Sequence, residues 1–267
     1  MIIFIALLCV AIVYVLMLRG RKGHPGWKNL MGWNYAHRGL HGNGVPENSM
    51  QAFRLAVEAG YGAELDVHLL RDGGLAVIHD SKLKRTTGAE GRIEDLTTQD
   101  LKDYRLEGTE ETIPTFRQVL ELFEGKAPLI VELKSENNVE ALCQAVCDAM
   151  ADYKGVYCME SFDPRCVIWL KKNRPLIIRG QLADNSLKAK NSPLPWLLRF
   201  ILTYNLANFL AVPDFIAYDF RKRNTLSNWI CRKVWGVQGV SWTLRSQQDH
   251  NTALKEGWVP IFEYYLP

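Results

Sequence analysis

The sequence predicts an α/β chain built as an eight-stranded (β/α)8 TIM barrel with a small insertion, and three observations carry that expectation. Short apolar, β-rich runs alternate with helix-like stretches from residue 33 to the end of the chain. Most of these runs are separated by enough chain for a crossover helix, which a parallel sheet requires. A length of 267 residues can enclose one large core. A doubly wound open sheet is the rival arrangement.

The chain opens on an apolar segment, Ile2 to Leu18, that carries no charge. At about 1.5 Å per residue it nearly crosses a hydrocarbon core of about 30 Å, so residues 1–19 are expected to form a transmembrane anchor. Arg19, Arg21 and Lys22 follow the apolar segment, whereas a secretory signal carries its charge in front. The positive-inside rule then gives a single-pass membrane protein with its catalytic body in the cytoplasm; a cleaved signal is the alternative. Gly20, Gly23, Pro25 and Gly26 mark residues 20–32 as a linker, which leaves 33–267 as the barrel domain.

Strands are expected at 34–37, 63–69, 75–79, 129–133, 156–161, 176–182, 215–218, 239–244 and 259–263. Helices are expected at 49–59, 115–124, 138–152, 163–173, 225–234 and 246–256. This is one strand too many for a simple barrel. Arg71-Asp72-Gly73-Gly74 is too short to hold a helix, so the strands on either side of it are joined by a tight turn or a distorted unit. Residues 81–113, with Gly88, Gly91 and Gly108, read as a loop-rich insertion. Residues 193–212 are apolar nearly all round, which suits either the membrane interface or a pair of helices buried in an enlarged core.

Composition excludes some classes. A hydrophobic fraction of 48% and a charged fraction of 23% rule out extensive disorder, and a net charge of +3 is too small to imply nucleic acid. The runs Arg221-Lys222-Arg223 and Lys171-Lys172 read as solvated helix ends. The six cysteines form no Cys-x-x-Cys pair and no grouping with histidine, as expected of buried, reduced thiols.

The chemistry lies in the strands. Glu64 and Asp66 stand two apart in A-E-L-D-V and therefore share one face of a strand. Glu132 and Lys134 do the same in L-I-V-E-L-K. Inward carboxylates on apolar strands are costly without a compensating cation, and three oxygen ligands favour a hard ion, Ca²⁺ or Mg²⁺. Pairing with Lys134 or an arginine is the alternative for either glutamate alone. His37 ends the first strand and His79 another, so both are expected to project from carboxyl ends toward one barrel mouth as general base and general acid. Arg38 offers a planar fork for phosphate oxygens. His24, His41, His68 and His250 read as structural.

The blocks A-H-R-G, P-E-N-S at 46–49, A-F at 52–53, E-L-D-V at 64–67, H-D at 79–80, R-T-T-G at 85–88, I-P-T-F at 113–116 and V-E-L-K at 131–134 resemble the glycerophosphodiester phosphodiesterase family. The later S-F-D at 161–163 and S-W-T at 241–243 match more loosely, and Glu263 stands where the family usually has aspartate. The resemblance implies a (β/α) barrel that hydrolyses glycerophosphodiesters to glycerol 3-phosphate and an alcohol. It makes His37 and His79 the acid/base pair and Glu64, Asp66 and Glu132 the ligands of a divalent cation. Arg38 and Lys134 become phosphate contacts, Glu47 supports the site, and Trp242 lines the pocket or serves as a core aromatic. In this family the attacker is thought to be the glycerol 2-hydroxyl, and direct water attack would use the same residues. A lysophospholipase D working on lysophospholipids at the membrane is the second expectation, and a catalytically silent lipid-binding scaffold the third.

Overall fold

The structure is a computed structural model that describes residues 1–136, 138–185, 187 and 194–267. Its strands are β1 (Tyr35–His37), β2 (Gly62–Leu69), β3 (Leu75–Val77), β4 (Leu129–Leu133), β5 (Tyr157–Ser161), β6 (Arg179–Ala183), β7 (Phe215–Asp219), β8 (Gln238–Leu244) and β9 (Trp258–Phe262). Strand β1 pairs in parallel with β2 on one side and with β9 on the other, which closes the sheet. The ring runs β1, β2, β4, β5, β6, β7, β8, β9, with every pairing parallel. This is the (β/α) barrel that the alternation predicts. The surplus strand is β3, which folds back antiparallel on β2 with Leu75 opposite Leu69 and Val77 opposite Val67.

The helices are α1 (Ile2–Met17), α2 (Met50–Glu58), α3 (Lys84–Thr87), α4 (Phe116–Phe123), α5 (Val139–Ala149), α6 (Pro164–Asn173), α7 (Trp196–Thr203), α8 (Asn208–Ala211), α9 (Leu226–Trp229) and α10 (Gln247–Lys255). Side-chain caps start the longer ones: Ser49 accepts from the Ala52 amide, Thr115 and Gln118 form a capping box, and Asp163 precedes Pro164. Along β2 the outward residues Ala63, Leu65 and Val67 pack with Phe53 of α2 and with Phe116, Val119 and Phe123 of α4. The alternate positions, Glu64 and Asp66, therefore face the barrel lumen.

At the amino ends of the strands the lumen is filled. Tyr35, Ile130, Cys158 and Phe215 pack there with Trp27 and Leu30. The Trp27 and Phe215 rings meet edge to face at 5.3 Å, and the Tyr35 hydroxyl donates to the Leu30 carbonyl at 2.8 Å. Gly180 makes room for this floor, because a Cβ at that position would lie 2.1 Å from the Phe215 ring. Residues 20–32 are folded onto the barrel: the Arg21 guanidinium pairs with Asp214, and its amide donates to the Pro213 carbonyl at 2.8 Å.

The membrane expectation is corrected. Helix α1 has 16 residues, a length of about 24 Å at 1.5 Å per residue, and no helix among the described residues is long and apolar enough to cross a membrane. The apolar run ends sooner than a span requires because Leu18 leaves the helix and is buried against Ile216, Ile230 and Val237. Trp235 Nε1 donates to the Val15 carbonyl at 2.8 Å and holds that end down. The single-pass, membrane-anchored reading of residues 1–19 is therefore overturned, and the cytoplasmic placement inferred from it loses its basis.

The apolar segment 193–212 resolves into α7 and α8, with Pro193 outside the described residues. Phe200, Ile201 and Leu206 pack with the α1 end, while Trp196, Leu197 and Leu198 are exposed. The insertion is better ordered than a polar loop would be. Leu70, Ala76, Ile78, Leu83, Ile93, Leu101, Leu106 and Ile113 form a satellite core beside the barrel mouth.

Candidate active site

Three adjacent strands place a layer of carboxylates in the upper lumen. Asp66 on β2 stands in register with Glu132 on β4, and Glu132 with Glu160 on β5. Glu64 lies two residues below Asp66, in register with His37 on β1. All four carboxylates are buried. Oxygen atoms of Glu64, Asp66 and Glu132 lie within 4.8 Å of one another, close enough to share one ion.

The surroundings fit a divalent cation. Lys134 Nζ lies 2.7 Å from Glu132 and 2.9 Å from Asp66, and Arg38 Nε lies 3.5 Å from Asp66. Two cations thus face four buried carboxylates, and Glu160 Oε2 has no hydrogen-bond partner. Burial, with the Asp66 and Glu132 charges added, holds the Glu64 carboxyl well above its usual range. Glu132 is pushed up to about 7, mainly by burial. Asp66 moves the other way: burial opposes its ionisation, but Lys134, His79 and Arg38 together with a hydrogen bond from Asn48 outweigh it. A hard dication would offset the excess negative charge, and Glu64, Asp66 and Glu132 could supply oxygen atoms to hold it.

Arg38 is aimed by a strained turn. Its φ of 55° and that of Asn48 at 53° lie in the left-handed region, a conformation that costs non-glycine residues about 1–3 kcal/mol and concentrates at active sites. The Arg38 amide donates to Glu64 at 3.1 Å, and the Asn48 amide donates to the Arg38 carbonyl at 2.9 Å. Asn48 Nδ2 donates to Asp66 at 2.8 Å. Glu47 accepts from Arg38 at 3.0 Å and from Arg85 Nη2 at 2.6 Å, so it ties the β1 turn to the insertion.

His37 stands at the carboxyl end of β1, as the sequence predicts. Its Nδ1 lies 2.6 Å from Glu263 and its Nε2 3.9 Å from Glu64. Burial opposes ionisation of the Glu263 carboxyl, but hydrogen bonds from His37 and Arg245 outweigh it and hold that carboxyl far below its usual range. An ionised Glu263 places the imidazole proton on Nδ1 and leaves the Nε2 lone pair free.

His79 reaches the same cavity by a route other than the expected one. It follows the antiparallel β3, not the end of a barrel strand. Buried His68 sets its height by contacting the His79 carbonyl at 3.2 Å and Glu94 at 2.7 Å. His79 Nδ1 lies 2.5 Å from Asp80, and burial lowers the imidazole pKa to about 4.

His37, Arg38, Glu64, His79, Glu132 and Glu160 line a cavity of about 40 Å³ together with the apolar Phe162, Leu182, Trp242 and Ile261. Trp242 meets Phe162 edge to face at 5.8 Å. All of the sequence-selected site residues surround this cavity or pair with those that do. Sequence reasoning missed Glu160, whose only sign was its inward position in the apolar run C-M-E-S. It also missed the part played by Glu263, by His68 with Glu94, and by Asp80 with Arg85.

Comparison with known proteins agrees with this geometry. The sequence profile described as the glycerophosphoryl diester phosphodiesterase family matches residues 37–263. A glycerophosphodiester phosphodiesterase of Caldanaerobacter subterraneus subsp. tengcongensis is 45% identical over 238 residues, which cover 83% of this chain and 89% of that protein. A shorter match, 42% over 112 residues, links the chain to a glycerophosphodiester phosphodiesterase of Bacillus altitudinis and spans 39% of this chain and 45% of that relative. A lysophospholipase D of Rattus norvegicus is 36% identical over 132 residues, covering 45% of this chain and 41% of that protein. Among solved structures, an Oleispira antarctica phosphodiesterase in complex with the product sn-glycerol-3-phosphate shares the fold with a TM-score of 0.73 and 22% identity, over 89% of this chain and 94% of that one. The barrel, the carboxylate layer and the match from His37 to Glu263 converge: the chain belongs to the glycerophosphoryl diester phosphodiesterase family.

Proposed function

We propose that the protein hydrolyses glycerophosphodiesters to glycerol 3-phosphate and an alcohol by acid/base catalysis between His37 and His79, at a divalent-cation site of Glu64, Asp66 and Glu132. The observation that carries this reading is that two imidazoles, each with a carboxylate at Nδ1, line one cavity beside three clustered carboxylates. A bound Ca²⁺ or Mg²⁺ supplies Lewis-acid charge beside the phosphate and neutralises the carboxylates.

The remaining work falls to the chain's own groups. Arg38 brings one positive charge to the cavity wall and Lys134 a second beside Asp66 and Glu132, where they hold a phosphate and stabilise the charge that builds on it. His37, with its proton fixed on Nδ1 by Glu263, presents Nε2 as the base that takes the proton from the attacking oxygen. Water or a hydroxyl of the glycerol itself can be that attacker, since both lose a proton to the same nitrogen. His79 is the more exposed imidazole, at the rim, and hands a proton to the departing alcohol. A phosphate anion beside it favours the protonated form that this task requires.

The test is a substrate and cation panel on the full chain. Glycerophosphocholine is expected to yield glycerol 3-phosphate and choline with Ca²⁺ or Mg²⁺ and nothing in EDTA. Undiminished release in EDTA would overturn the cation's role, and no release with either ion the hydrolase reading itself. One observation favours a second reading, a lysophospholipase D: four of the ten residues that line the cavity, Phe162, Leu182, Trp242 and Ile261, are apolar. Faster choline release from lysophosphatidylcholine than from glycerophosphocholine in the same panel would select it.

A further inference from the structure

Outside the carboxylate layer, a second group of ligating atoms lies behind His37. His37, His41 and Glu263 each offer one such atom, all within 4.8 Å of one another. The donor set differs in kind from the first, with two imidazole nitrogens and one carboxylate oxygen, a combination that suits Zn²⁺ and neighbouring transition ions rather than Ca²⁺ or Mg²⁺.

His41 supplies the independent sign. Its side chain is only 7% exposed, and its Nε2 points at Glu263 Oε2 from 3.7 Å, beyond hydrogen-bond length. That nitrogen has no hydrogen-bond partner, and such an atom is expensive to bury. Donors around a tetrahedral Zn²⁺ with bonds of about 2.0 Å stand about 3.3 Å apart, so the 3.7 Å separation is already near that spacing. The 2.6 Å contact between His37 Nδ1 and Glu263 Oε2 would open slightly. Arg245 grips the other oxygen of Glu263, Oε1, at 2.5 Å and keeps Oε2 turned toward the two histidines. The ring of Tyr264 meets the His41 ring edge to face at 5.2 Å and fixes its plane.

We propose that His41 Nε2, His37 Nδ1 and Glu263 Oε2 form a transition-metal site, separate from the carboxylate site, whose occupation by Zn²⁺ switches the enzyme off. Binding needs the Nδ1 lone pair of His37, so the proton that Nδ1 now shares with Glu263 must move to Nε2. No proton is gained or lost by the ring, but its free lone pair is now spent on the metal and Nε2 carries hydrogen. A base has become a donor. The inhibitory half of the proposal rests on the reading of His37 as the base; the binding half does not.

The two halves are tested on the full chain under saturating Mg²⁺, with Co²⁺ as a spectroscopic probe and Zn²⁺ as the inhibitor. Wild type is expected to take up one Co²⁺ with visible absorption of a histidine-ligated, four-coordinate ion, and to lose turnover as Zn²⁺ fills the site. His41→Gln preserves side-chain bulk and lies outside the proposed machinery. It should keep basal turnover, lose the cobalt spectrum and shift the zinc midpoint upward by at least about tenfold. Glu263→Gln should also lose the cobalt spectrum, which guards against an effect peculiar to position 41. Identical spectra and zinc midpoints in wild type and His41→Gln would overturn the site. Cobalt uptake that depends on His41 but leaves turnover intact would uphold the site and overturn the inhibition. If no diester is cleaved under any cation, the hydrolase reading fails instead, and the cobalt spectra still decide the site.

Discussion

Glu263 determines which nitrogen of His37 carries the proton, and Asp80 stands in the same relation to His79. Both contacts are alike, so the division into base and acid proposed above rests on position: His37 sits deeper in the lumen and His79 is the more exposed. Replacing His37 or His79 with alanine is expected to lower kcat by about 10² to 10⁴ each while circular dichroism and melting temperature stay close to wild type. Near-normal turnover in both variants would remove them from the chemistry. Glu64 and Asp66 were legible in the sequence because two carboxylates at i and i+2 announce a shared inward face. Glu160 was not, because one glutamate in C-M-E-S carries no such pair, and only the register between β4 and β5 brings it beside Glu132. The Glu263 contact spans 226 positions, and no local pattern encodes it.

At the scale of elements, the eight barrel strands were readable because strands covered by helices on one side and packed lumen on the other become nearly continuous apolar runs. The short connection at residues 71–74 already pointed to a tight turn before β3, but nothing local showed that β3 is the strand left outside the barrel ring. The turn at residues 70–74 brings the chain back antiparallel. Helix α1 misled for a related reason: hydropathy registers that a segment is apolar but not that Tyr14, Val15 and Met17 of its last turn pack in one cluster with Phe200 and Ile201. None of its residues from Ile2 to Met17 is buried, whereas Leu18, Trp27 and Leu30 are. Deleting residues 2–13 should therefore leave the melting temperature nearly unchanged. Deletion through residue 32 should destabilise the barrel severely, since each fully buried large side chain contributes about 1.5–3 kcal/mol. Gly180→Ala belongs at the same scale, with an expected loss of about 1–3 kcal/mol in chemical denaturation as its Cβ meets the Phe215 ring. Equal melting of both truncations would show that the floor does not support the barrel.

For the molecule as a whole, the buried carboxylates couple stability to both pH and cation. Glu132 has its pKa raised from 4.5 to about 7, so between those values the folded chain holds more protons than the unfolded one. Without cation, this contribution to stability is complete below pH 4.5 and is lost as pH rises through 7; Glu64 and Glu160 act in the same direction. His79, lowered from 6.5 to about 4, has the opposite sign, and its contribution is lost as pH falls through that interval. A cation binds only the ionised carboxylates, so Ca²⁺ or Mg²⁺ should raise the melting temperature more at about pH 7.5 than at about pH 5, with protons released on binding. Calorimetry in two buffers of different ionisation enthalpy measures that release. An equal thermal shift at both pH values would count against Glu132 as a ligand.

The plugged floor of Trp27, Leu30, Tyr35 and Phe215 also has a kinetic meaning. A lumen closed at one end has a single doorway, so the incoming diester and both outgoing fragments share one path past His79 and Trp242. In the proposed reaction the glycerophosphate fragment must vacate the doorway before the next turnover begins. Under the proposed mechanism, traffic through that opening sets a ceiling on rate that no improvement in proton transfer at His37 can lift.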